Sequence, residues 1–351
     1  MIIEREHSDG YALFRIPGII RTCKDSLIVY CECRKDSGDW AEIDIAMRKS
    51  TDGGQTWSER RILAYGNGHT LNNPVMFADK DVITLLYQYE YSKTFISRSY
   101  DDGETWSAPI DVSQMFVNGE YSYTCIACGP GHGTVMENGT YIVPVWMAKN
   151  LSDRKAHHPS VVTVAYSTDK GVLWRTGSVL GDGGIPLSRL NAEPGTGHSP
   201  DNMQSAQADA FIDLNETSLC EINGEILFNI RHCGNSKHRL LALSGGAAGE
   251  WHDVHAHSAL SDPQCMGSMI SGGGNIYFVN CDDKSERINI TLKVSRDQGR
   301  SWEKIKTVDS KGGYSDIALS ADGKTAFIFY ESFGDFKNSD KNLCFVKILL
   351  K

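Results

Sequence analysis

One octapeptide returns along this chain, as Ser50-Thr-Asp-Gly-Gly-Gln-Thr-Trp57, Ser99-Tyr-Asp-Asp-Gly-Glu-Thr-Trp106, Ser167-Thr-Asp-Lys-Gly-Val-Leu-Trp174 and Ser295-Arg-Asp-Gln-Gly-Arg-Ser-Trp302. Repetition at intervals of this size belongs to architectures built by stacking one supersecondary unit. Each copy has the chemistry of a tight hairpin turn. The Asp carboxylate can accept backbone N–H groups across the turn, and Gly supplies the left-handed backbone. The Trp then covers the end of the hairpin. A worn copy, Ser244-Gly-Gly-Ala-Ala-Gly-Glu-Trp251, keeps Ser and Trp but loses Asp, and one more turn, Ser320-Ala-Asp-Gly-Lys-Thr325, follows. Units of this size divide the chain into about six, within the range of blades that propellers use. The expectation is one all-β domain over residues 1–351, a six-bladed β-propeller.

The segments between the turns agree. SLIVYCECR (26–34), VITLLYQYE (82–90), YIVPVWMA (141–148), EILFNIR (225–231), NIYFVNC (275–281) and TAFIFYE (325–331) are short and rich in β-branched and aromatic residues, and no long helical pattern competes. The terminal run CFVKILLK (344–351) is expected to pair with an N-terminal strand, which closes the ring and removes its open edges. Residues 181–202 break the rhythm with Gly, Pro and no periodicity, so they read as a loop insertion, either a surface excursion or a rim over a pocket.

The formal net charge of −9 argues against a nucleic-acid or anionic-membrane partner, and no stretch is apolar enough for a membrane-spanning helix. Ten scattered Cys, of which only Cys125-Ile-Ala-Cys128 has close metal-type or redox spacing, read as free thiols. Together with a start lacking a basic-then-apolar leader, they lead us to expect a cytoplasmic protein, although a secreted protein whose leader is absent would look the same. His252, His255 and His257 in WHDVHAH invite a metal reading, but no third ligand of clear spacing accompanies them and no metal is assigned. Composition leaves the oligomeric state open.

A second motif, Tyr11-Ala-Leu-Phe14-Arg15-Ile16-Pro17, lies upstream of the first repeat. It resembles the F-R-I-P segment of the sialidases of glycoside hydrolase family 33, whose Asp-box turns the octapeptide also resembles. The resemblance extends over nearly the whole chain, and it implies an exo-acting sialidase on a six-bladed propeller, with a sialylated glycan as substrate and no cofactor. Residue by residue, it places the acid/base at Asp39 and the nucleophile at Tyr314, in Gly313-Tyr314-Ser315-Asp316. It places that nucleophile's base at Glu216, and the grip on the substrate carboxylate at Arg15, Arg231 and Arg287. Supporting roles fall to Glu331, which orients Arg15, and to Arg34 and Asn73 near the sugar. The run Gly129-Pro-Gly-His-Gly133 resembles a pocket-side turn.

These residue types suit such a reaction. Sialic acid carries a carboxylate on its anomeric carbon, and guanidinium groups can hold it in bidentate, charge-assisted hydrogen bonds. A carboxylate nucleophile would be repelled there. A phenol is neutral until it reacts, but with an ordinary pKa of about 10 it needs a base. Asp39 could protonate the leaving oxygen and then deprotonate water. Taken singly, Asp39 reads as a turn-capping Asp and Tyr314 as a packing aromatic; their joint occurrence in family order carries the reading. The same residues would serve other 2-keto acid sugars such as Kdn or Kdo, and the three Arg alone would serve a non-catalytic sialoglycan-binding propeller. Trp40, Trp146 and Met147 could line a pocket for an N-acyl group or pack in the core.

Overall fold

The computed structural model describes residues 1–117, 121–182, 184–186, 211–234, 236–334 and 340–350. Its β-strands form six blades around one axis. Blade 1 orders Leu13–Arg21, Leu27–Arg34, Ile43–Ser50 and Arg61–Ala64 from the axis outward. Blade 2 orders Leu71–Asp79, Val82–Tyr89, Lys93–Ser99 and Ile110–Asp111, and blade 3 orders Cys125–Cys128, Tyr141–Ala148, Ser160–Ser167 and Arg175–Thr176. Blade 4 runs Leu214–Ile222, Glu225–His232, His238–Ser244 and Trp251–Ser261. Blade 5 begins with Ser268–Gly272, Asn275–Cys281 and Ile288–Ser295. Its outer strand is the first half of Glu303–Leu319, whose second half is the inner strand of blade 6. Thr325–Ser332 and Asn342–Leu349 complete that blade, and Ile2–Glu4 pairs with the latter, Ile2 opposite Cys344. The two ends of the described chain therefore meet in one sheet, as the terminal run led us to expect.

Each strand read from the sequence is present to within a residue or so. The four full repeats sit at one place in each unit, the turn between the third and fourth strands. In blade 1, Gly54 N–H donates to Ser50 Oγ (2.9 Å). Thr56 donates to Asp52 from its amide (2.9 Å) and its hydroxyl (2.6 Å). Blades 2 and 5 repeat these bonds around Asp101 and Asp297. The worn copy turns blade 4 with a different set: Ser244 Oγ donates to the carbonyls of Gly246 and Gly249. Blade 6 has no such turn because its outermost pair joins the two ends of the chain. Ser320–Thr325 instead links that blade's two inner strands.

The core lies between blades. Six apolar clusters occupy the six interfaces: blade 1 against 2 around Tyr30, Met47 and Met76, blade 2 against 3 around Phe77 and Val143, and so on to blade 6 against 1 around Phe14 and Phe345. Every blade is thus covered on both faces, which is why Leu27–Arg34 and Tyr141–Ala148 are buried end to end instead of alternating. At about 25 cal/mol per Å² of apolar surface removed from water, these interfaces supply most of the drive to close the ring. The expected insertion at 181–202 lies largely outside the described residues. Its base is the antiparallel pair Ile185–Pro186 with Phe211–Ile212.

Candidate active site

The inner strands of four blades share a local irregularity. Pairing between first and second strands slips between Arg15 and Gly18, between Asn72 and Val75, between Leu214 and Thr217, and between Gly312 and Ser315. A bulge of this kind re-aims side chains that a regular ladder would bury between sheets. Arg15, Asn73, Glu216 and Tyr314 sit at the four slips. In blade 1 the bulge puts Ile16 at φ 58°, a left-handed conformation that a β-branched residue adopts only under constraint from its surroundings. Asn73 is held similarly, at φ 49°.

The bulges open on one mouth of the ring, where the residues named above converge. Tyr314 Oη donates to Glu216 Oε1 at 2.6 Å, and Arg231 Nη1 donates to the same phenol at 2.9 Å and also to Glu216 Oε2. The Arg15 guanidinium lies 4.8 Å from the Tyr314 ring centroid and that of Arg287 lies 5.5 Å from it. Arg15 is oriented by Glu331, which accepts from Nε at 2.9 Å and Nη2 at 3.3 Å. The same carboxylate also takes the backbone N–H groups of Ile16 (3.3 Å) and Tyr314 (3.0 Å). One buried carboxylate thus fixes both a cation and the backbone of the proposed nucleophile. Among the described residues Arg287 contacts no carboxylate. Glu331 acts on it only through space, without a direct ion pair.

Asp39 stands on the loop after Leu27–Arg34 with its side chain half exposed. Its Oδ1 accepts from Arg34 Nη1 at 2.7 Å and lies 4.0 Å from Arg15 Nη1. Burial would raise its pKa, but the two guanidinium groups, Arg34 foremost, hold it below the ordinary 3.8. Tyr314 moves the other way. Burial and then Glu216 push the phenol well above its ordinary value, against the pull of three arginines, so the free site holds a protonated phenol already bonded to its acceptor. Glu331 is kept below the ordinary carboxyl value because Arg15 outweighs burial.

Asn73 is placed behind this layer. Its backbone N–H donates to Glu32 Oε1 (2.8 Å) and its side-chain amide to the Cys128 carbonyl (3.1 Å). Glu32, fully buried, also accepts from Arg34 Nε at 2.8 Å. Sequence reasoning passed over Glu32, although its spacing of two from Arg34 on one strand puts both on one face. It passed over Tyr91 and His157 as well, for which no sequence signal exists. The Tyr91 ring lies 4.9 Å from Trp40 and 5.0 Å from His157, tilted against both, and His157 lies 5.0 Å from Trp146. Burial holds the His157 imidazole below its ordinary pKa although Asp39 and Glu216 pull it up. Trp40 is half-buried beside the site, whereas Trp146 and Met147 are buried in different inter-blade clusters. His252 pairs with Glu225, and His255 and His257 bond to the carbonyls of Asp253 and Arg300. The Gly129–Gly133 turn starts next to Cys128, whose carbonyl holds the Asn73 amide, and carries His132 against Asp316 at 2.8 Å. A cavity of about 480 Å³ at the opposite mouth, bordered by Arg21, His132 and Ser320, touches none of the proposed catalytic residues.

The arrangement offers an anion-binding floor, a phenol bonded to a carboxylate, and a second carboxylate at the solvent edge. The chain is 25% identical to a sialidase of Bacteroides fragilis across 92% of its own length, and spans 61% of that relative. Among solved structures, a Hadza microbial sialidase matches 99% of this chain and is covered over 68% of its own, with TM-score 0.76 and 22% identity. A Trypanosoma rangeli sialidase captured with 2,3-difluorosialic acid as a covalent intermediate matches 98% of this chain and is covered over 56%, with TM-score 0.72 and 16% identity. These structures share the propeller fold. The profile of the BNR repeat-like domain spans residues 21–327, and the chain belongs to that family.

Proposed function

We propose that the chain is a retaining exo-sialidase, releasing terminal α-linked sialic acid through a glycosyl–tyrosine intermediate. The observation that carries this reading is the Tyr314–Glu216 hydrogen bond of 2.6 Å, set among three guanidinium groups. The substrate carboxylate takes its place among Arg15, Arg231 and Arg287, which brings C2 over the phenol. As Tyr314 Oη attacks C2, its proton passes to Glu216, and Asp39 protonates the departing glycosidic oxygen, so the aglycone leaves as an alcohol. Asp39 then deprotonates a water that attacks C2, and the C2–phenol bond breaks as Glu216 returns its proton. Two inversions retain configuration. The relatives' names and the intermediate captured on the T. rangeli enzyme support the same chemistry. A lectin would need the arginines but not the Asp39, Glu216 and Tyr314 set.

The test is release of a fluorophore from an α-N-acetylneuraminide by wild type and Tyr314→Phe, with Kdn and Kdo analogues in parallel. Expected is turnover of the first substrate, lowered at least about a thousandfold by the substitution. A mass adduct on the peptide containing Tyr314 after treatment with 2,3-difluorosialic acid is also expected. Turnover of Kdn or Kdo alone would reassign the sugar. Tight binding without any turnover would leave a sialoglycan-binding propeller.

A further inference from the structure

Below the phenol, on the ring axis, lies a buried polar node outside the mechanism just described. Asp316 is fully buried, two residues beyond Tyr314 on the same strand and just past the slip, where regular pairing has resumed. Its Oδ1 accepts from Ser268 Oγ at 2.6 Å, in blade 5, and faces His132 Nδ1 at 2.8 Å. Its Oδ2 accepts from the Ile19 N–H at 2.8 Å, in blade 1. His132 is itself tied to blade 2 by a short parallel pairing of Gly131 and His132 with Val75 and Met76. Tyr30 Oη bridges these parts, donating to the Gly131 carbonyl (2.9 Å) and accepting from the Met76 N–H (3.0 Å). Gly131, at φ 95°, is closely approached here: a Cβ would lie 3.0 Å from Met266 Cε and 3.2 Å from Asp316 Oδ1. One carboxylate on the Tyr314 strand is therefore held from three other elements across the axis.

We infer that Asp316 is a positioning residue for Tyr314, fixing the radial position of the nucleophile strand through Ser268, His132 and Ile19. Because the pairing slips between Gly312 and Ser315, the ladder does not determine where Tyr314 stands at the mouth. That is left to Glu331, above, and to the Asp316 node, below. The three arginines come from the bulge of blade 1 and from the loop ends of blades 4 and 5, none of them on this strand. Loosening the node should therefore shift the phenol against C2 while leaving the carboxylate grip in place. Misplacement of a reacting group by an ångström can cost about a hundredfold in rate.

This inference rests on the proposed sialidase reaction for its kinetic part only. In Asp316→Asn, kcat is expected to fall at least about tenfold with KM within about twofold of wild type. Amide exchange at Tyr314 and Ile19 should accelerate while exchange in blade 3 does not change. Ser268→Ala removes one donor and should shift both readouts in the same direction by less; it decides the matter if Asp316→Asn does not fold. A lower Tm with kcat and Tyr314 exchange unchanged would reduce the node to a structural pin and overturn the inference, as would a rise in KM at constant kcat. If wild type proves inert on sialosides, the functional proposal falls while the exchange measurement still decides whether the node holds the Tyr314 strand.

Discussion

The hairpin tips at the rim and the mouth at the axis both rely on carboxylates, and they use them in opposite ways. At the rim, Asp52, Asp101 and Asp297 satisfy donors within four residues of themselves, in water, without a cation partner. At the mouth, Glu331 meets a guanidinium more than three hundred positions away, and Glu216 meets a phenol nearly one hundred away. The rim turns are complete once eight residues are in order. The mouth exists only after six blades have closed. Stability built from local bonds can be repeated blade after blade. A reactive site needs buried charges whose partners are supplied by other blades, so it occurs once, where all inner strands meet.

The sharpest break of that contrast is Glu331→Gln. It removes the charge that compensates Arg15 and weakens the acceptor holding the Tyr314 N–H. Deleting one partner of a fully buried ion pair costs about 3–5 kcal/mol; Arg15 keeps some contact with water, so about 2 kcal/mol is expected, with kcat/KM lower by about a hundredfold. The sign of its pH dependence follows from the depressed pKa. Arg15 favours the charged carboxylate, so the stabilisation is present above the ordinary carboxyl value of 4.5 and is lost as pH falls through the lower folded value. The Tm gap between wild type and variant should be widest near neutrality and shrink as pH falls below 4.5. A gap independent of pH would mean that packing, not charge, is what Glu331 contributes.

The same contrast explains what the sequence could tell. The octapeptide carries its whole bonding pattern within itself, so the turns, the strands on either side and the number of blades could be read directly. Tyr314, Glu216 and the arginines could be placed only by resemblance, because nothing in Gly313-Tyr314-Ser315 announces a partner at Glu216. The bulges were invisible for a related reason: a one-residue slip against a neighbouring strand leaves no mark on a nearly continuous apolar run. Tyr91 and His157 reached the site through ring contacts between loops of different blades, and no periodicity encodes such contacts. Glu32 was the one readable omission, lying two residues from Arg34 on a single strand.

A smaller effect is expected at Asp39, whose charge is set from within blade 1 in the free site and by the substrate afterwards. In the free protein Arg34 and Arg15 hold it below 3.8. A bound carboxylate among the arginines draws off the pull of Arg15 and adds a like charge nearby, both of which favour the protonated acid. The alkaline limb of kcat, which reports the complex, should lie at least about one pH unit above that of kcat/KM, which reports the free protein. In Arg34→Gln the kcat/KM limb should move up toward the kcat limb. Coincident limbs in wild type would show that Asp39 does not feel the substrate's charge.

The gentlest probe is Asp101→Ala, at the rim of blade 2. Asp101 accepts from Ser99, from the Thr105 amide and from the Thr105 hydroxyl, and these bonds bring its pKa down to about 2 although it is exposed. Being depressed, it contributes stability above the ordinary 3.8, and that contribution fades as pH falls toward 2. The substitution should lower Tm by no more than a few degrees at pH 7 and leave kcat and KM unchanged, since its bonds end within the hairpin. Asp52→Ala in blade 1 should act alike, and the two losses should add, because the two carboxylates share no partner. Non-additive losses, or a change in kcat from either one, would mean that the rim and the mouth are coupled through the blades and that a hairpin at the periphery helps to hold the reacting groups in line.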